Sequence, residues 1–142
     1  MVLKVIRKAN REDIDQIYFL GKKYDSNFDK LYNLSDYISN PIYLVYCYEH
    51  NGNICGFVIA SILYEVIEIL IIYVDAEYRN NGIASKLLLN LEKNNVDNLL
   101  LEVSCENHIA SCLYEKLGYK KIGVRKKYYN GVDAYIMKKE LR

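Results

Sequence analysis

After an apolar run at residues 66–74, the chain reads Asp75-Ala76-Glu77-Tyr78 and then Arg79-Asn80-Asn81-Gly82-Ile83-Ala84-Ser85, and a helical pattern begins directly behind it. That arrangement suits the holding of a phosphate. The first N–H groups of a helix have no intrahelical partners, and the helix dipole adds about half a positive charge at the same end. Gly82 lets the backbone approach an anion closely, Ala84 keeps the surface small, and Arg79 brings a forked cation that matches phosphate oxygens. On spacing alone, an Asn81-Gly82 turn in front of an amphipathic helix accounts for the same residues equally well.

Other residue types able to do chemistry are fewer. Glu102 is a carboxylate in a run otherwise made of Leu99, Leu100, Leu101 and Val103, and Glu68 interrupts the preceding apolar run in the same way. An alternating polar residue of this kind is either the wet face of a strand or a group held for proton transfer. Cys105, His108 and Cys112 are potential metal ligands, but three ligands do not close a structural site and the other histidine is His50, so no metal is expected. Cys47, Cys55, Cys105 and Cys112 form no CxxC pair and read as reduced core thiols.

These groups need a scaffold, and 142 residues with 51% hydrophobic and 26% charged side chains are enough for one domain with one core, spanning residues 1–142. Nineteen basic residues against 18 acidic ones leave a net charge of +1, too little for a general field that draws in nucleic acid or an anionic membrane. No apolar run approaches the roughly 20 residues of a membrane span. A soluble, cytoplasmic protein without nucleic-acid or membrane partners is the expectation.

Residues 3–7 read as a strand. Asn10 with Asp13 can cap a helix that carries Ile14, Ile17, Tyr18 and Leu20 and runs to about Lys23. The Tyr- and Asn-rich residues 24–40 hold one short helix near residues 35–39, ended by Pro41. Residues 42–49 and 54–63, joined through Asn51-Gly52, make a hairpin, and residues 66–74 extend it into an antiparallel meander whose last strand is largely buried. Helix 82–93, strand 99–103, helix 109–117 stopped by Gly118, and two strands at 119–128 and 134–139 complete the chain.

The segment YVDAEYRNNGIASKLL, residues 73–88, resembles the acetyl-CoA loop of the GNAT superfamily of acetyltransferases, whose pattern is (Arg/Gln)-x-x-Gly-x-(Gly/Ala) after a strand ending in Val-Asp. Ala76 stands where that family usually has proline, and Asn80 and Asn81 replace basic or glycine residues; neither change removes a backbone donor. Residues 99–141, LLLEVSCENHIASCLYEKLGYKKIGVRKKYYNGVDAYIMKKEL, resemble the protein N-terminal acetyltransferases of the superfamily, the subgroup that includes the bacterial ribosomal-protein alanine acetyltransferase. Residues 24–40 lack the Phe-Pro-Trp-like stretch common in the substrate region of that enzyme.

The resemblance implies an α/β fold: a mixed, mostly antiparallel sheet splayed near Val74, with helices on both faces. It implies acetyl-CoA as co-substrate, bound by Tyr73, Val74, Arg79, Asn80, Asn81, Gly82, Ile83, Ala84 and Ser85, with Asn107 reaching the pantetheine arm or capping its own helix. It implies Glu102 as base, with Glu68 in reserve, and Tyr114 as the acid that protonates the CoA sulfur. Tyr128 and Tyr129 correspond to tyrosines that line a peptide groove. The implied acceptor is a protein N-terminus, that of a ribosomal protein included. A small-molecule amine and a non-catalytic acetyl-CoA-binding module are the alternatives.

Overall fold

The computed structural model describes residues 3–129 and 131–142, with only the backbone at Tyr128 and Tyr129, so the groove role expected of those two side chains lies outside what is described. Strand β1 (Lys4–Lys8) is followed by a 3-10 turn at Arg11–Asp13 and helix α1 (Ile14–Tyr24). The expected capping box is formed: the Asn10 side chain accepts from Glu12 N–H at 2.9 Å, and Asp13 Oδ2 accepts from Asn10 N–H at 2.7 Å. Asp13 is nearly sealed from solvent and also takes two hydrogen bonds from Arg7, at 2.7 and 2.8 Å, which ties β1 to α1. Arg7 further donates from Nε to Glu49 at 2.8 Å.

Two short helices follow, α2 (Phe28–Leu31) and α3 (Leu34–Ser39), where one was expected. Helix α2 exists because Phe28 is pulled into the core against Gly21, Phe57 and Tyr32, a tertiary cause that leaves no periodicity in four residues. Strands β2 (Tyr43–His50), β3 (Asn53–Leu63) and β4 (Val66–Val74) form the meander, with Asn51 and Gly52 at φ 51° and 84° in the first turn. The largely buried strand is β3, buried from Ile54 through Ala60, rather than β4, which alternates. Helices cover β3 on both faces, whereas one edge of β4 borders an opening.

Helix α4 (Ile83–Leu91), strand β5 (Asn98–Ser104), helix α5 (His108–Lys116) and the hairpin β6 (Lys120–Tyr129) and β7 (Val132–Glu140) complete the order. Among the described residues the sheet has seven strands in the order β1-β2-β3-β4-β5-β7-β6, antiparallel except for β4 against β5. This is the mixed α/β architecture anticipated. The parallel pairing covers only Val66–Asn98, Ile67–Leu99 and Glu68–Leu100, so the sheet splits directly after Glu68, earlier than the expected splay near Val74.

A bulge at Leu70 assists the split. Ile59 pairs with Ile71 but Ala60 pairs with Ile69, so Leu70 is extra on β4. Residues two apart on a strand normally share a face. Here Ile67 and Ile69 pack with Leu87, Leu88 and Leu91 of α4, while Ile71 and Tyr73 pack with Ile17 and Leu20 of α1 and with Phe28 and Leu34. One strand thus serves the cores on both sides of the sheet. No helix among the described residues is long and apolar enough to cross a membrane.

Candidate active site

Gly82 is the N-cap of α4 and adopts φ 74°, ψ 15°, a left-handed conformation that glycine takes without strain. A Cβ built on it would meet nothing within 4 Å, so the space above the loop is open. The first helical hydrogen bond runs from Lys86 N–H to Gly82 C=O at 3.0 Å, and the N–H groups of Ile83, Ala84 and Ser85 precede it without intrahelical acceptors. Helix α4 can lie this close to the sheet because of Gly56: a Cβ there would come within 3.1 Å of Ile83 and 3.5 Å of Leu87. Arg79 folds back over β4, with Nε donating to the Val74 carbonyl at 3.2 Å and the guanidinium 5.7 Å from the Tyr73 ring centre.

A cavity of about 620 Å³ opens in front of this loop, bounded by Val74, Tyr78, Arg79, Asn80 and residues 82–85 on one side and by α5 on the other. An anion here meets converging N–H donors, a helix dipole and one guanidinium, so the residues fit a pyrophosphate. Tyr73 and Asn81, both expected at this site, do not line it. Tyr73 is adjacent to Val74 and therefore faces the opposite side of β4, among Phe57 and Tyr24. Asn81 turns its amide back onto the Tyr78 and Arg79 carbonyls at 3.1 and 3.2 Å, where it braces the loop.

The split between β4 and β5 holds a second cleft of about 620 Å³. One wall is Tyr24, Asp25, Leu31 and Tyr32; the floor is β4 around the bulge; the far wall carries Glu102, Ser104, Asn107 and Tyr114. Glu102 and Tyr114, 12 residues apart in sequence, therefore share one cleft. Glu68 lies outside it, exposed on β4 where the two strands are still paired. Asn107 also lines this cleft, and, as one of its two expected roles, its Oδ1 caps α5 by accepting from Ala110 N–H at 3.2 Å.

Helix α5 separates the two spaces. Asn107, Ala110 and Tyr114 recur at i, i+3 and i+7 and face the cleft, while His108, Cys112 and Lys116 recur at i, i+4 and i+8 and face the loop cavity with Ile109 and Leu113. This second set escaped the sequence reading although its spacing was visible. Cys112 is accordingly exposed and Cys105 half-buried, so only Cys47 and Cys55 are core thiols. Cys105, His108 and Cys112 do not form a metal-binding group among the described residues.

Electrostatics differ sharply within the cleft. Burial pushes the Tyr114 phenol up to about 12, with the neighbouring Tyr24 adding to the effect, so it carries its proton throughout the neutral range. Glu102 keeps one-fifth of its side chain exposed and accepts from Arg125 Nε and Nη2 at 2.8 and 2.6 Å, both on Oε1. A protonated phenol and a carboxylate held by a guanidinium thus share one cleft, and these are residue types that acid–base transfer uses.

Residues 8–119 match the family model described as Acetyltransferase (GNAT) family. Over 139 residues the chain is 30% identical to a Bacillus subtilis (strain 168) protein whose name assigns it, provisionally, as a ribosomal protein bS18-alanine N-acetyltransferase, with 93% of this chain and 92% of that one covered. The crystal structure of the ribosomal-protein-S18-alanine N-acetyltransferase from Escherichia coli superposes with a TM-score of 0.80 at 27% identity, covering 98% of this chain and 94% of that chain. A PaiA N-acetyltransferase from Thermoplasma acidophilum, solved in complex with coenzyme A, shares the fold at a TM-score of 0.76 and 21% identity, with 97% and 99% covered.

Proposed function

Because the chain belongs to the GNAT family of N-acetyltransferases, we propose that it acetylates the α-amino group of a protein N-terminus, with a ribosomal protein beginning in alanine as its natural acceptor. The co-substrate is acetyl-CoA, which supplies an acetyl group activated as a thioester. The N-terminal N–H groups of α4, Gly82 and Arg79 hold its pyrophosphate in the loop cavity. The amine enters the cleft between β4 and β5. Glu102 takes the proton the amine loses as it becomes an amide, and Tyr114 gives its phenolic proton to the departing sulfur.

The observation that carries this reading is the placement of α5, which borders the phosphate-type cavity with one face and the Glu102–Tyr114 cleft with the other. With its pyrophosphate at the loop, the donor extends its pantetheine arm past α5 into the cleft, where the thioester meets the amine beside Glu102 and Tyr114. The α-amine is favoured on energetic grounds: with pKa near 8 it is roughly a tenth neutral at pH 7, whereas a lysine near 10.4 is about 250-fold less so. Work on a ribosomal protein would place the enzyme in the cytoplasm.

Asp25 and Glu102 both line the cleft, and two carboxylates there favour a small polyamine as a second reading. Incubation with labelled acetyl-CoA and peptides beginning in Ala, Ser or Met, beside spermidine, separates the two. Peptide acetylation with little label on spermidine supports the N-terminal reading; labelled spermidine and untouched peptides would overturn it.

A further inference from the structure

The two hydrogen bonds from Arg125 to Glu102 come from an unusual direction. Arg125 stands on β6 opposite Ala134 of β7, and Glu102 stands on β5 opposite Ile136 of β7, so the arginine reaches across the full width of β7 to meet the carboxylate. Its starting point is set by a bulge. Arg125 pairs with Ala134 and Tyr129 with Val132, which leaves residues 126–128 of β6 opposite Asp133 alone. Asp133 pins that bulge: its Oδ1 accepts from Lys127 N–H at 2.9 Å, with Lys127 at φ 54°, and its Oδ2 lies 3.4 Å from Lys126 Nζ. Bulges of this kind re-aim the side chains beside them.

Glutamate's last torsion is broad and nearly two-fold, so an untethered carboxylate in an open cleft samples many orientations. Two donors of one rigid guanidinium on the same oxygen remove that freedom. Arg125 engages Oε1 with both, and Oε2 is the oxygen these bonds leave for the cleft. As a stabilising device the pair is poorly placed, since Arg125 is about half exposed and exposed ion pairs contribute roughly 0–1 kcal/mol.

We propose that Arg125, aimed by the Asp133-pinned bulge, is a positioning residue that fixes the Glu102 carboxylate for proton transfer from the acceptor amine. The proposal rests on the reading of Glu102 as the proton acceptor.

The test is steady-state kinetics of the full chain with acetyl-CoA and whichever acceptor it turns over, beside thermal midpoints. Arg125→Gln lowers kcat roughly 10- to 100-fold, as loss of alignment does, while both KM values stay within about twofold. Arg125→Lys, which keeps the charge and loses the fork, also lowers kcat and holds the fold if Gln does not. The double variant Glu102→Gln/Arg125→Gln is no slower than Glu102→Gln, because Arg125 then has no carboxylate to orient. Multiplying losses in the double variant, a wild-type rate in Arg125→Lys, or a rise in acceptor KM alone would each overturn the positioning role. A wild-type rate in Glu102→Gln overturns the underlying assignment instead, and is distinguishable from a slow Glu102→Gln beside a fast Arg125→Gln, which overturns only the role of Arg125.

Discussion

Gly21 leaves no room for a side chain beside the ring of Phe28: a Cβ on Gly21 would stand 2.2 Å from Phe28 Cδ1 and 2.4 Å from Cε1. This contact turns the chain from α1 into α2 and so sets the cleft wall of Tyr24, Asp25, Leu31 and Tyr32. Gly21→Ala forces the ring to move. Overpacking of this kind costs about 1–3 kcal/mol, and we expect a lower urea midpoint together with a higher KM for the acceptor and an unchanged KM for acetyl-CoA. Equal shifts in the two KM values would separate this contact from the cleft wall.

Gly82 gives the opposite partition. The space above it is empty of protein atoms, so a methyl group clashes only with a bound ligand, and the left-handed backbone adds roughly 1–2 kcal/mol of strain. For Gly82→Ala, calorimetry with coenzyme A should show affinity reduced by about tenfold or more, with the acceptor KM little changed. Undiminished coenzyme A binding would mean that the loop does not hold the anion.

Tyr114 supplies a pH signature. Its phenol lies above the ordinary tyrosine value of about 10, at about 12, so kcat should show no alkaline limb from this group below roughly pH 11. Tyr114→Phe should lower kcat by about 10²-fold or more at neutral pH, the usual scale for a general acid. The sign for stability follows from the same shift: the folded state keeps the proton longer than the unfolded one, so stability is full below pH 10 and falls as pH rises from about 10 to 12. Alkaline urea titrations of Tyr114→Phe should show a shallower fall, although Tyr119, pushed up by the same burial, keeps part of it.

At the other end of the scale, hydrogen bonds from Arg7 hold the Asp13 carboxyl below its ordinary range, with burial opposing and the Asn10 N–H assisting. A depressed carboxylate contributes stability that is complete above about pH 4 and is lost as pH falls further. Asp13→Asn should lower stability at pH 7 by roughly 1.5–3 kcal/mol, the range for hydrogen bonds to charged groups, and flatten the acid dependence of the urea midpoint. An unchanged acid slope would assign that dependence to other carboxylates.

The parts of the molecule that announce themselves in the sequence are those with local causes. The Asn10–Asp13 box, the Asn51-Gly52 turn, the apolar stripe of α4 and the left-handed Gly118 after α5 each act over a few residues, and each is found where the spacing puts it. What is missed has distant causes. Helix α2 depends on Gly21 and Phe57, and the position of the split depends on the Leu70 bulge, which no residue type marks. Tyr73 and Val74 could have been separated from sequence alone, since neighbours on a strand point to opposite faces. Arg125 has no signature at all until β6 and β5 are seen flanking β7.

Three residue pairs, from Val66–Asn98 to Glu68–Leu100, are the whole of the β4–β5 ladder. The sheet is therefore two leaves bound along a short spine, and each cavity takes one wall from each leaf: β4 and the α4 loop or the α1–α2 corner on one side, β5 and α5 on the other. A ligand in either space acts as a stitch across the open margin. Through mass action such a stitch stabilises the folded chain by RT ln(1 + [L]/Kd). If acetyl-CoA and the acceptor amine fill these spaces, they are also temporary structural members, and the leaves are fastened most firmly when both spaces are filled.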